Sequence, residues 1–93
     1  MEPIVLSGHL DQYAAETLRD QAIALLDAEG DAVFDFCEVD RMHAAALQVL
    51  LALEKEFEPK GRKVVLRSVE GSLRDLFRIS GTESYFQFVD GAE

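Results

Sequence analysis

The chain holds two histidines, His9 and His43, and one cysteine, Cys37, and each histidine has an aspartate close by: Asp11 for the first, Asp40 for the second. Imidazole and carboxylate side chains can bind a metal or exchange protons, and a thiolate can attack an electrophile. These residues follow no recognised ligand spacing, and structural zinc takes four ligands. No metal site is therefore expected. Cys37 ends a hydrophobic run and has no basic neighbour in sequence, so it is expected to be a small buried residue without reactivity. Thr17 is the only hydroxyl of its kind between Ser7 and Ser68, which leaves serine-type nucleophilic catalysis without a candidate. Gly8, Gly61 and Gly71 each stand alone, with no glycine-rich phosphate loop. No cofactor is expected.

The stretch from Asp40 to Leu53 says most about the chain. An alternating run, Ala32-Val33-Phe34-Asp35-Phe36-Cys37, reads as a buried strand leading through a loop into a helix that starts at Ala44. Such a junction turns free amides outward and favours anions. Its first turn, however, offers only the methyl groups of Ala44, Ala45 and Ala46, so no side chain there can carry a phosphate. The junction reads as a contact surface.

The elements that position this junction follow from periodicity. Ile4, Val5 and Leu6 form a strand, and Asp11 is a good N-cap for a helix carrying Leu18, Ala22, Leu25 and Leu26 at helical spacing and stopping near Gly30. The second helix, 44–58, places Ala46, Leu47, Leu50, Leu53 and Phe57 on one side and ends before Pro59. A strand at 63–66, a helix at 70–79 built on Leu73, Leu76 and Phe77, and a strand at 85–88 complete the chain. Strand and helix alternate, which predicts an α/β fold with a mostly parallel four-stranded sheet and three helices. Glu54, Glu56 and Glu58, interleaved with Lys55 and Lys60, read as a solvated helix end.

Composition sets the class of partner. With 93 residues, 48% hydrophobic and 29% charged, the chain suits one domain with one core. Lys and Arg number 9 against 18 Asp and Glu, and the net charge of −9 repels nucleic acid and anionic membrane surfaces. A lone cysteine and an N-terminus without a basic flank or apolar run point to the cytoplasm. The apolar stretch from Met42 falls short of the roughly 20 residues that span a bilayer. Between Met42 and Leu53 only His43 and Gln48 are polar, more than a core stripe needs. Ala45, Val49 and Ala52 are thus expected to form a small exposed apolar patch facing away from Leu47 and Leu50.

Two segments, Leu6-Ser7-Gly8-His9-Leu10-Asp11 and Ala15-Glu16-Thr17-Leu18, resemble the first signature of the STAS domain, the family of bacterial anti-sigma factor antagonists. The strand 32–37, Gly61 with Val64-Val65-Leu66, and Leu73-Arg74-Asp75-Leu76-Phe77 through Gly81 resemble the rest of the family in the same order. Members that act as partner-switching antagonists carry Asp-Ser-Ser-Gly or similar before a leucine-rich helix, and a kinase that is also the anti-sigma factor phosphorylates the first serine. Here that stretch is His43-Ala44-Ala45-Ala46, so the resemblance puts Ala44 at the phosphoacceptor position, His43 in place of the aspartate and Ala46 in place of the glycine. Asp11, a helix cap by residue type, matches the acidic residue that lies beside the phosphoacceptor.

The resemblance implies a non-catalytic interaction domain whose binding face comprises Asp11, His43, Ala44, Ala45, Gln48, Val49 and Ala52. The implied partner is a protein: an anti-sigma factor or kinase-like protein, a chemosensory component or a transporter ATPase component. Relatives also serve as accessory subunits of ABC-type or lipid transporters, while a phosphorelay or nucleotide-handling enzyme is the reading from another class. Against the family pattern, no strand is expected before Ile4 and no helix after Phe88, which would leave the sheet edge at residues 4–7 open to homodimerisation.

Overall fold

The computed structural model describes residues 3–90. It contains β1 (Ile4–Leu10), α1 (Gln12–Leu26), β2 (Ala32–Met42), α2 (Ala44–Phe57), β3 (Val64–Arg67), α3 (Gly71–Ile79) and β4 (Gln87–Val89), with 3-10 turns at Glu58–Lys60 and Glu83–Tyr85. The sheet order is β1-β2-β3-β4 and every pairing is parallel. Each crossover therefore steps one strand in the same direction. Right-handed connections of that kind put all three helices on one face.

Pairing aligns Ile4, Phe34, Leu66 and Phe88 across the sheet, and in the next row Val5, Asp35, Arg67 and Val89. Side chains alternate along a strand, so these rows face opposite ways. The first row enters the core with Leu18, Leu50, Phe57 and Phe77, and Phe34 and Leu66 are fully buried there. The second row lies outside that core, where Asp35 accepts a hydrogen bond from the Cys37 amide at 2.9 Å and faces the Arg67 guanidinium at 3.9 Å. The Cys37 amide, with Arg67 beside it, holds the Asp35 carboxyl below its ordinary pKa despite burial.

Two contacts close the far ends. Arg62 stacks on the Phe57 ring, 3.7 Å from its centroid, and donates through Nε to the Gly30 carbonyl at 2.6 Å and through a terminal nitrogen to the Leu25 carbonyl at 2.9 Å. This fastens the end of α1 to the start of β3. Phe77 meets Phe86 and Phe88 edge to face, at centroid distances of 5.5 and 5.4 Å, and Arg74 lies over Phe88 while pairing with Glu83 at 2.8 Å. That cluster locks α3 to β4.

Several boundaries differ from the sequence expectation. The first two strands run on to Leu10 and Met42, because Ser7, Gly8, His9 and Leu10 pair with Glu38, Val39, Arg41 and Met42. Two register shifts give β2 an extra residue each time, and Gly8 takes φ +71° beside the second. α1 stops at Leu26, before Gly30. β3 and β4 are displaced toward the C-terminus, with Tyr85 in a 3-10 turn rather than a strand. Cys37 is exposed, not buried. It shares the outward face of Asp35, two residues earlier, and the alternation that buries Phe34 and Phe36 turns it away from the core.

Glu54 is the other correction. It is buried, 8% exposed, whereas Lys55, Glu56 and Glu58 stay in solvent, and its Oε2 finds no hydrogen-bond partner. Its position between Leu50, Leu53 and Phe57 on α2 puts it on the inward stripe. Burial, together with the negative charge of Glu58, raises its pKa. A raised native pKa means that the folded chain keeps a proton the unfolded chain releases, so stability from this group is complete below the unfolded value of about 4.3 and declines as pH rises above it. Glu54→Gln removes the buried charge while keeping the shape, so it should stabilise the fold at pH 7, and the gain should shrink toward pH 4. Urea unfolding across that range checks this; a gain that stays level or grows on acidification contradicts it.

Candidate binding surface at the start of the second helix

Leu10 and Met42 are paired at the ends of β1 and β2, and the His43 amide donates to the Leu10 carbonyl at 2.8 Å. Both following helices therefore begin at one level. Asp11 caps α1, its Oδ1 accepting from the Ala14 amide at 2.9 Å, and that bond draws the Asp11 carboxyl below its ordinary pKa. His43 caps α2, with Nδ1 accepting from the Ala45 amide at 3.0 Å. An accepting Nδ1 is unprotonated, so the ring's remaining donor is Nε2–H, free to face a partner.

This cap determines what the junction can do. An anion at a helix N-terminus needs first-turn amides, and the imidazole occupies the one at Ala45. Ala44 is exposed and presents a methyl group, with no hydroxyl to modify. Beside it, a cleft of about 360 Å³ is lined by His9, Asp40, Arg41, His43, Ser72 and Leu76, among others. His9 stands in β1 and lines this cleft. Among the described residues no group of three His, Cys, Asp or Glu side chains is placed to hold a metal ion. The exposed Cys37 thiol has its pKa raised by its hydrogen bond to Asp35, which disfavours the nucleophilic thiolate.

The expected binding residues fall into two groups. His43 and Ala44 are exposed at the helix start, with Asp11 half-buried at its own cap nearby in the fold. Farther along α2, Gln48 and Ala52 are exposed while Ala45 and Val49 are half-buried and pack on the margin of the core. The smooth exposed patch expected of Ala45, Val49 and Ala52 is thus corrected: Ala45 is half-buried, while Val49 and Ala52 form one wall of a groove of about 260 Å³ whose other wall is Ala22, Ile23 and Leu26 of α1. Sequence reasoning treated α1 as a core helix and missed Ile23, which is 52% exposed. Its signal was available, since Ile23 falls outside the Leu18, Ala22, Leu25 stripe.

Residues 2–89 match the family model described as the Mlab, STAS domain. The chain belongs to the STAS family. The phosphorylated form of SpoIIAA, the Bacillus cell fate determinant, superimposes with a TM-score of 0.77 at 22% identity over 98% of this chain and 82% of its own. Unphosphorylated SpoIIAA, an anti-sigma factor antagonist, gives 0.77 at 20% identity over 95% of this chain and 77% of its own. A sulfate transporter family protein from Wolinella succinogenes gives 0.80 at 14% identity over 97% of this chain and 75% of its own. At these identities the structures establish the STAS fold with its four parallel strands and three helices. No curated protein matches the chain in sequence.

The imidazole cap is open to a direct test. His43→Ala should cost about 1 kcal/mol, the usual worth of a side-chain N-cap, and His43→Asp should restore it. Urea denaturation measures both; an unchanged midpoint for His43→Ala would mean that the observed bond contributes nothing.

Proposed function

We propose that this STAS domain is a non-catalytic protein-binding adaptor whose contact face centres on the start of α2, with Asp11, His43, Ala44, Ala45, Gln48, Val49 and Ala52 at or around it, in an anti-sigma-factor-antagonist-like regulatory system. The observation that carries this reading is the helix start itself. Ala44 stands exposed with no hydroxyl, and the amide behind it is taken by His43. A partner that docks there meets a surface that phosphorylation at this position cannot alter. The partner is a protein of the anti-sigma factor or kinase-like class, or a chemosensory component, in a cytoplasmic setting. The charge of −9 disfavours nucleic acid and anionic lipid, and no helix of the described residues is long and apolar enough to cross a membrane.

A second reading, an accessory subunit of an ABC-type or lipid transporter, draws support from the likeness to the sulfate transporter family protein. The enzymatic reading has less to rest on, since among the described residues no group of three His, Cys, Asp or Glu side chains is placed to hold a metal ion and the sequence carries no glycine-rich phosphate loop.

Affinity capture from the source cell, comparing wild type with Ala44→Arg, tests the proposal. Ala44 is exposed, so its substitution should cost less than about half a kcal/mol of stability, and the captured partner should be lost. Mass spectrometry of that protein separates a kinase-like anti-sigma factor from a transporter ATPase. Equal capture by both forms removes the helix start from the interface. Calorimetric titration with ATP and GTP should show no micromolar binding, an affinity of about 8 kcal/mol that requires a real pocket. The Ala44→Ser, His43→Asp double variant should become a substrate for a STAS-directed kinase while wild type does not, as read by intact mass.

A further inference from the structure

α1 and α2 lie side by side on the sheet, and their outer surfaces leave the groove between Ile23 and Ala52 described above. Its lining runs from Arg19 to Leu26 on α1 and from Gln48 to Glu56 on α2, which at 1.5 Å per residue is about 12 Å, or two helical turns. The walls are almost wholly apolar side chain. The backbone amides and carbonyls behind them are committed to the two helices. An extended peptide in such a groove would find no backbone partners and would leave its own amides unpaired. A helix satisfies them internally and seats its apolar stripe between the two helices, which is the helix-in-groove mode of recognition.

Charge narrows the occupant further. On α1 the row Glu16, Asp20, Ile23, Asp27, spaced 4, 3 and 4, carries exposed acids on either side of the exposed isoleucine. Arg19 shares a small cleft with Glu16 and Asp20. The charged residues lining the groove itself are balanced, Arg19 against Glu56, and the exposed acids Glu16, Asp20 and Asp27 lie beyond it along α1. A basic flank suits this rim, and a basic partner suits a chain of net charge −9.

We infer that the α1–α2 groove docks a basic amphipathic helix of the partner protein, with apolar anchors at i, i+3 or i+4, and i+7 entering between Ile23 and Ala52 and lysines or arginines facing Glu16, Asp20 and Asp27. The inference rests on the adaptor reading above and extends its contact face from α2 onto α1. It assigns Ile23 as an anchor-contacting residue.

Three synthetic 14-residue helical peptides test it against the isotope-labelled domain: leucines at the anchor positions with lysines elsewhere, the same leucines with glutamates, and the lysine peptide with its leucines scattered. The lysine peptide should shift the amides of residues 19–27 and 48–56 and bind at least tenfold tighter than the glutamate peptide at 50 mM salt, the gap narrowing at 0.5 M as screening grows. The scattered peptide should bind at least tenfold more weakly. Ile23→Arg and Ala52→Arg should each lower affinity at least tenfold while melting normally, and Cys37→Ser, exposed on the opposite face of the sheet, should leave it unchanged. Equal binding of the lysine and glutamate peptides, or of the scattered one, overturns the inference. So does a wild-type dimer in sedimentation velocity that Ile23→Arg disperses, which would give the groove to a second copy. A natural partner lost by Ala44→Arg but retained by Ile23→Arg overturns the groove alone and leaves the adaptor reading standing.

Discussion

Parallel pairing of β1 with β2, from Ile4 beside Phe34 to Leu10 beside Met42, is the constraint on which the rest of the molecule depends. Because Leu10 is paired with Met42, and the His43 amide reaches back to the Leu10 carbonyl at 2.8 Å, both helices leave the sheet from one line. Two caps, Asp11 and His43, follow at once. Shorten this pairing to Ile4–Leu6 and 32–37, the runs that hydrophobic patterning alone marks, and neither helix start is fixed. The same alignment lays α1 beside α2 with their outer faces level, and so creates both the cleft near His43 and the groove near Ile23.

His43 does two jobs at that junction. As a cap it satisfies an amide that would otherwise face solvent, and as a side chain it fills the space an anion would claim. A carboxylate in its place would cap as well while adding negative charge to a chain already at −9. The imidazole instead caps without adding negative charge and keeps its Nε2 edge outward. Its neighbour Ala44 contributes only shape, so recognition at this end has to come from fit and hydrogen bonding around a methyl group.

The order of elements, the core stripes of the helices and the Asp11 cap were legible in the sequence because each rests on one local pattern. Leu18, Ala22 and Leu25 repeat at helical spacing, and all are buried. What could not be read depended on residues far apart. Strand pairing past Ser7 comes from Glu38 to Met42 lying alongside, which no local alternation encodes, and the two extra residues in β2 reset the phase that would have been counted along it. Glu54 sits among charged residues in sequence, and only its place on the inward stripe buries it. Cys37 could have been placed correctly, since Phe34 and Phe36 already define which side is in. At the site, the helix start was legible as a surface without hydroxyls, but half of the groove belongs to α1, and a patch reasoned from α2 alone stops at its crest.

The sheet order β1-β2-β3-β4 follows the chain without a single return. In most doubly wound sheets the first strand lies in the middle and later strands must be inserted on both sides of it. Here each strand adds only to the one made before, so every pairing closes a loop of a single crossover, and no contact between strands waits for a distant part of the chain. Parallel sheets are slow to fold when long loops must close before any pairing rewards them. This one can grow stepwise from its N-terminal edge, at the speed of its individual strand–helix–strand units and in the order in which a ribosome would release them.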